Sequence, residues 1–211
     1  MTTPAAQAWE RFARKATPRR AVNAAGARTW LNWTQYPDHG PDESVLGPIS
    51  GKRVAELGSG TGANLAHLAT LGAHCLGIDI APTRIATATG NWAHLPNIEF
   101  VSADVVDHLA MTGTTYDIVY SIFGAIWFTD PAILLPLIRD ALTPNGVVVF
   151  SHLPADDAPS RAEGLIARYD LPLPRWEALL HANGFTNVTS QIIAPPAGEE
   201  RGTLLVRAIR S

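Results

Sequence analysis

From position 51 onward, short apolar runs of β type alternate with stretches of helical length. The apolar runs fall over 53–57, 74–79, 98–102, 117–121 and 146–151, and helical patterns occupy 63–71, 81–92, 105–111 and 130–142 between them. This alternation predicts a parallel sheet whose strands are joined by crossover helices. Asp130 followed by Pro131 supplies an N-cap acid and a first-turn proline, which marks where the last of these helices begins. The rhythm then changes. A helix over 174–183 is closed by Gly184, a strand follows over 185–193, and Pro195-Pro196-Ala197-Gly198 turns the chain into a last strand over 202–210. Two strands joined by so short a turn run antiparallel, because a parallel pair needs a longer crossover. The expected fold is α/β: a seven-stranded sheet, parallel with an antiparallel C-terminal hairpin, with helices on both faces.

The first 50 residues follow no such rhythm. Residues 5–15 predict a helix, with Trp9, Phe12 and Ala16 at helical spacing. Arg11, Arg14, Lys15, Arg19, Arg20 and Arg28 crowd the first 28 positions against a single acid, Glu10. A second aromatic run, from Trp30 to Tyr36, ends in Pro37-Asp38-His39-Gly40-Pro41, a turn signal that no helix or strand survives. The chain therefore divides into a helical, lid-like extension over 1–50 and a sheet domain over 51–211.

Composition narrows the class. A chain of 211 residues fits one domain, and its 17% of charged residues lies below the usual ~25%, which speaks against disorder. The formal charge of −3 excludes a globally basic nucleic-acid binder. Cys75 is the sole cysteine, so neither an internal disulfide nor a cysteine-based zinc site is expected, and no metal site is read. No run approaches the ~18 apolar residues of a membrane span, and the first 20 residues lack a signal-peptide core, so the expectation is a soluble cytoplasmic protein.

The strongest local signal is Glu56-Leu57-Gly58-Ser59-Gly60-Thr61-Gly62, where a predicted strand runs into three alternate glycines and a helix begins behind them. Glycines here permit positive φ and let a ligand touch backbone. The carboxyl end of a parallel strand is where ligands bind in open α/β sheets. Gly58-x-Gly60-x-x-Ala63 also satisfies the looser dinucleotide fingerprint. Glu56 argues for another ligand, because its carboxylate repels a pyrophosphate and attracts a cation. Asp79 and Asp104 end the next two strands, placed to accept from ribose hydroxyls and an exocyclic amine. Three carboxylates at three successive strand ends describe a site for a positively charged nucleoside without phosphate.

With these residues the chain resembles the class I S-adenosylmethionine-dependent methyltransferases, of the small bacterial type that acts on metabolites. Glu56 to Gly62 matches that family's first motif, Asp79 its ribose-binding acid and Asp104 its adenine-contacting acid. Tyr116-Asp117-Ile118-Val119-Tyr120-Ser121 resembles its fourth-strand motif, and Leu142-Thr143-Pro144-Asn145-Gly146-Val147 the loop before its fifth strand. The resemblance spans 51–210 and implies a Rossmann-like domain that binds S-adenosylmethionine and releases S-adenosylhomocysteine. It implies that Gly58, Gly60 and the backbone around them hold the methionine part and that Asp79 binds the ribose, with Glu56, Ser59, Gly62 and Ile80 also among the cofactor-binding residues. Asp104 with Val105 would take the adenine, and Ser121 would line the pocket. Asp117 is read as structural.

Methyl transfer from a sulfonium depends chiefly on alignment and water exclusion, though an acceptor can also need a base, for which histidine fits best. His67, His94, His108 and His181 lie on predicted helices or their ends and His74 begins a strand, so these five are read as surface or packing residues. His39, in the proline-rich turn, and His152, directly after strand five, are the candidate bases. Tyr36, Phe123, Trp127 and Phe128 are the candidate substrate wall, suited to a planar or apolar small molecule. After strand four stands Ser121-Ile122-Phe123-Gly124, not the Asn/Asp-Pro-Pro-aromatic motif of enzymes that methylate base amines, and no Pro-Cys nucleophile is present. A small-molecule acceptor, as in secondary metabolism, is the leading expectation, with no nucleic-acid or membrane partner. The alternatives are methylation of a peptide or RNA docked on the arginine-rich N-terminus, and a nicotinamide-dependent oxidoreductase. The sequence leaves open whether the protein is a monomer or a homodimer.

Overall fold

A computed structural model describes residues 3–15, 17, 19–155 and 166–211. The position of Ala16, counted above with Trp9 and Phe12, lies outside the described residues. The chain begins with helix α1 (Pro4–Lys15) and a short 3-10 turn over Glu43–Leu46. The alternating part follows as β1 (Arg53–Leu57), α2 (Ala63–Thr70), β2 (His74–Asp79), α3 (Pro82–Trp92), β3 (Ile98–Ser102), α4 (Val105–Met111) and β4 (Tyr116–Ile122). Then come α5 (Ala125–Phe128), α6 (Pro131–Ala141), β5 (Leu142–His152), α7 (Leu173–Ala182), β6 (Phe185–Ile193) and β7 (Thr203–Arg210).

The seven strands form one sheet in the order β3-β2-β1-β4-β5-β7-β6. β1 pairs in parallel with β2 and β4, β2 with β3 and β4 with β5, while β7 runs antiparallel to both β5 and β6. The expected parallel sheet with its antiparallel hairpin is the fold observed. Two local features differ from expectation. β5 starts at Leu142 instead of 146, because Leu142 pairs with Tyr116 ahead of a register shift. The short helix α5 over Ala125–Phe128 has too few residues to leave a periodic signal in the sequence.

Side chains alternate across the sheet and feed two cores. Ala55, Leu57, Val119, Val148 and Phe150 pack with α4, α6 and α7 residues such as Leu109, Leu134, Ile138 and Trp176. Val54, Ile118, Tyr120 and Val149 face the other way, against Leu65 and Leu68 of α2. That second core also takes Leu31, Trp33, Leu46 and Ile49, so the stretch 31–49 packs as part of the sheet's cover. Trp33 is fully buried, its indole Nε1 donates to Asp42 O (3.0 Å), and Ser151 Oγ donates to its carbonyl (2.7 Å). α1 reaches across to α3, where Glu10 accepts from Thr83 N (3.2 Å) and from Thr83 Oγ1. Since the Ala81 N-cap offers α3 no side-chain acceptor, Glu10 satisfies one of that helix's exposed N–H groups from outside. Among the described residues no helix is long and apolar enough to cross a membrane.

Candidate functional site

At the carboxyl end of the sheet the glycine loop is fixed by backbone bonds to its neighbour strand. Gly58 N and Ser59 N donate to Ile78 O (2.8 and 3.0 Å). Asp79 then ties two loops together, accepting from Gly60 N at Oδ2 (2.8 Å) and from Ala81 N at Oδ1 (2.9 Å). Gly58 has φ +82°, and a Cβ there would lie 2.7 Å from Ala125 N and 2.8 Å from Gly124 Cα. Only glycine lets the loops after β1 and β4 touch. Gly60, at φ +56°, is different: a Cβ would meet nothing within 4 Å, because that side of the loop is open space.

That space belongs to a cavity of about 360 Å³, within the size range of small-ligand sites. Its polar lining comes from Glu56, Ser59, Gly60, Asn64, Asp79 and Arg19. Ile80, Asp104 and Val105 also line it, and Trp9, Phe12, Phe123 and Phe128 supply an aromatic wall. Trp9 stands edge-on to Phe128 with ring centres 4.7 Å apart. Arg84 sits over the Phe12 ring.

Glu56 is the electrostatic centre of the polar lining. It is 2% exposed and its Oε2 has no hydrogen-bond partner among the described residues. Burial pushes its carboxyl up from 4.5 to about 8, against the pull of Tyr120, Asn64 and the Arg19 guanidinium. Asp79 is also held above its ordinary value by burial, opposed by its two backbone donors. Burial lowers Arg19, with Glu56 as the main opposing charge. Asp104 caps α4 by accepting from Val106 N at Oδ1 (2.8 Å). A buried carboxyl with a bare oxygen, facing a guanidinium it does not pair with, is a host for a ligand carrying both an ammonium and a carboxylate.

Eight of the residues expected at the cofactor line this cavity: Glu56, Gly58, Ser59, Gly60, Asp79, Ile80, Asp104 and Val105. Gly62 and Ser121 do not. Gly62 caps α2 with its α-carbon toward the rings of Phe100 and Trp92. Ser121 Oγ donates to Leu57 O (2.7 Å) and accepts from Ile126 N (3.3 Å), bracing the two loops from behind.

Of the expected substrate wall, Phe123 and Phe128 face the cavity. Trp127 is turned away, its Nε1 donating to Asp170 Oδ1 (2.7 Å) and its ring stacked on His152 at 5.4 Å. His152 is therefore an inner aromatic-stack residue. Its Nδ1 donates to Leu153 O (2.6 Å), and burial lowers its pKa from 6.5 to about 4, leaving it neutral. Tyr36 and His39 are also set apart from the cavity. Tyr36 OH donates to Arg201 O (2.9 Å) and His39 Nε2 bonds to Ala194 O (2.8 Å), so both fasten the proline-rich turn to the β6–β7 hairpin. The structure brings neither candidate base to the cavity.

Sequence reading missed Arg19, Asn64, Trp9 and Phe12 as cavity residues. The helical spacing of Trp9 and Phe12 marked one face of α1 without revealing what that face covers. Arg19 was legible only as one charge in a basic cluster.

Comparison with known proteins places these observations. Residues 55–150 match the model of a family described as "Methyltransferase domain". The chain is 29% identical over 127 residues to a demethylmenaquinone methyltransferase of Clavibacter sepedonicus, covering 60% of this chain and 50% of that one. It is 31% identical over 125 residues to a ubiquinone biosynthesis O-methyltransferase of Acinetobacter baylyi, covering 58% and 49%. The chain thus spans about half the length of the curated relatives it matches. Its fold is shared with an S-adenosylmethionine-dependent methyltransferase of Mesorhizobium loti, at TM-score 0.65 and 21% identity over 79% of this chain and 94% of that one. The dinucleotide reading of the glycine loop gives way to the other: residues 55–150 belong to that methyltransferase-domain family, and strand order, loop and acids together form the class I S-adenosylmethionine-dependent methyltransferase fold.

Proposed function

We propose that this chain transfers a methyl group from S-adenosylmethionine to an oxygen, nitrogen or carbon nucleophile of a small molecule with an aromatic or apolar part. The observation that carries this reading is the buried Glu56 carboxyl, with its Oε2 free of a partner among the described residues, in the same cavity as Arg19, Asp79 and Asp104. Glu56 would receive the ammonium of the methionine part and Arg19 its carboxylate. The open side of Gly60 leaves room for the chain between them. Asp79, already bonded to two backbone N–H groups, retains acceptor capacity for ribose hydroxyls, since an ionised carboxylate has about four lone-pair sites. Asp104 would take the adenine amine on the oxygen that does not cap α4.

When bound, S-adenosylmethionine supplies an electrophilic methyl group on a positively charged sulfur. The chain's part is placement. Phe123, Phe128, Trp9 and Phe12 form a wall that excludes water and suits a flat acceptor, and α1, the helical part of the 1–50 extension, acts as the lid that carries two of these rings. With His39 and His152 both off the cavity, alignment is assigned the main share of the rate; effective molarities of well-oriented reactants can reach about 10⁵ M or more. The names of the curated relatives, which concern quinone biosynthesis, agree with a ring-bearing acceptor. A cytoplasmic enzyme of secondary metabolism is the finer form of the same reading.

Thermal unfolding with S-adenosylhomocysteine and, separately, NADH tests it. A rise in Tm with S-adenosylhomocysteine alone is expected. No rise at saturating concentration would remove the methyltransferase reading.

A further inference from the structure

A second cavity of about 300 Å³ adjoins the first and is lined by Arg19, Arg20, Trp30, Asn32, Pro37 and Asn64. Arg19 and Asn64 line both spaces, so the Arg19 guanidinium is part of the partition between them. It is held there by three contacts. Its plane lies 3.7 Å over the Trp30 ring, Nη1 donates to Asn64 Oδ1 (2.8 Å), and Nη2 donates to Trp30 O (2.9 Å). None of these is a carboxylate, and among the described residues Arg19 has no ion-pair partner within 4 Å. A guanidinium carries five N–H donors, so it can serve a ligand on each side.

The remaining chemistry of this cavity is also donor-rich. Arg20 pairs through Nη2 with Asp38, whose same oxygen accepts from Ala24 N, and its side chain is 52% exposed. Trp30 is 9% exposed, and its indole Nε1 finds no acceptor among the described residues. Two guanidinium groups and the Trp30 side chain thus line the space, with one carboxylate among the neighbours. Its location is equally informative. Asn64 stands in the first turn of α2, directly behind the glycine loop, so the cavity lies by the carboxyl end of β1. The strand order reverses between β1 and β4, which is where open α/β sheets receive ligands.

We propose that the second cavity is an anion subsite for the methyl acceptor, taking a carboxylate or phosphate carried by that molecule against Arg20 and the outer face of Arg19. The inference rests on the first cavity being the methyl-donor site, since that reading makes a molecule in the adjoining space the acceptor. The size of the space and the presence of Asp38 favour a single oxyanion over a polyanion. The basic N-terminal residues also do not form one docking strip, because Arg14 pairs with Glu10, Arg20 with Asp38, and Arg19 turns inward.

Calorimetric titration of benzoate, inorganic phosphate and neutral benzamide into the full chain, with and without S-adenosylhomocysteine, tests the proposal. At least one anion is expected to bind, benzamide to bind tenfold more weakly or not at all, and Arg20→Gln to weaken the anion about tenfold while S-adenosylhomocysteine affinity stays unchanged. Binding of benzoate alone assigns a carboxylate acceptor and of phosphate alone a phosphorylated one. Binding of neither anion, equal binding of benzamide, or full anion affinity in Arg20→Gln overturns the proposal. Failure of S-adenosylhomocysteine to bind would instead refute the function proposed above, and the titrations without it still decide whether the anion subsite exists.

Discussion

Glu56→Gln separates the role of charge at position 56 from the role of shape. The wild-type carboxyl sits near pKa 8, against an ordinary 4.5, because burial withholds water from its charged form. Its folded-state pKa lies above the unfolded one, so its share of stability is complete below pH 4.5 and is lost as pH rises through 8. At about 1.4 kcal/mol per pKa unit, the gap of about 3.5 amounts to roughly 5 kcal/mol across that window. At pH 7 the unliganded protein holds the Glu56 proton, since the pH lies below the raised pKa. A ligand ammonium placed beside Oε2 favours the carboxylate, so binding must expel that proton. Titrating S-adenosylhomocysteine at pH 7 in buffers of different ionisation enthalpy should reveal release of close to one proton. Affinity should rise about tenfold per pH unit from 6 toward 8 and level off above. Glu56→Gln should abolish the proton release and flatten both the binding and the stability profiles. It should also weaken binding at pH 8.5 by about tenfold or more, the value of a charge-assisted hydrogen bond. Binding without proton exchange and with pH-independent affinity in the wild type would refute the assignment of the ammonium to Glu56.

Three further substitutions probe separate parts of the site. Asp79→Ala should weaken S-adenosylhomocysteine binding at least tenfold in a titration while circular dichroism still reports a folded chain. Wild-type affinity would show that Asp79 serves only the loop bonds to Gly60 and Ala81. Gly58→Ala should lower stability by about 2 kcal/mol or more, because its Cβ meets backbone, whereas Gly60→Ala should cost about 1 kcal/mol of strain and mainly harm ligand affinity. Urea unfolding with parallel ligand titrations distinguishes the two, and equal stability losses would contradict the geometry. His152 has its pKa lowered from 6.5 to about 4, so its contribution is present above pH 6.5 and lost as pH falls through 4, about 3 kcal/mol in all. His152→Phe should therefore lose less stability than wild type between pH 7 and pH 4, and identical acid profiles would show that the ring is not held neutral.

Legibility followed the range over which each feature is determined. β1, β2 and β3 lie where the apolar runs place them, and Glu56, Asp79 and Asp104 each end or border a strand, so sequence spacing alone set them side by side. Adjacent parallel strands bring their carboxyl ends together whatever their side chains do. The start of β5 was hidden because Leu142 and Thr143 extend a strand only through pairing with the distant Tyr116. Trp127 and Phe128 are neighbours in sequence, yet α5 turns one ring to the cavity and the other onto His152. A helix of four residues leaves no periodicity from which that division could be read.

Arg19 presents the harder case, and it bears on how charge should be read in this protein. In sequence it is one of six cations before position 29, in a region where a solvated surface is the ordinary outcome. Its inward turn depends on Trp30 and Asn64, 11 and 45 residues away, which supply the ring it stacks on and the acceptors it bonds. Neither partner carries charge, so no pattern of opposite signs announces the site. Burying a cation without a carboxylate at contact distance is costly unless a ligand repays it. Burying Glu56 nearby is costly in the same way, and its raised pKa records that cost as a held proton. The two groups remain apart although a direct ion pair would relieve both. That separation is what a zwitterionic ligand requires, and it makes the net charge of −3 a poor guide to a site whose chemistry lies in a buried cation and a buried acid, protonated until a ligand ammonium arrives, kept from meeting.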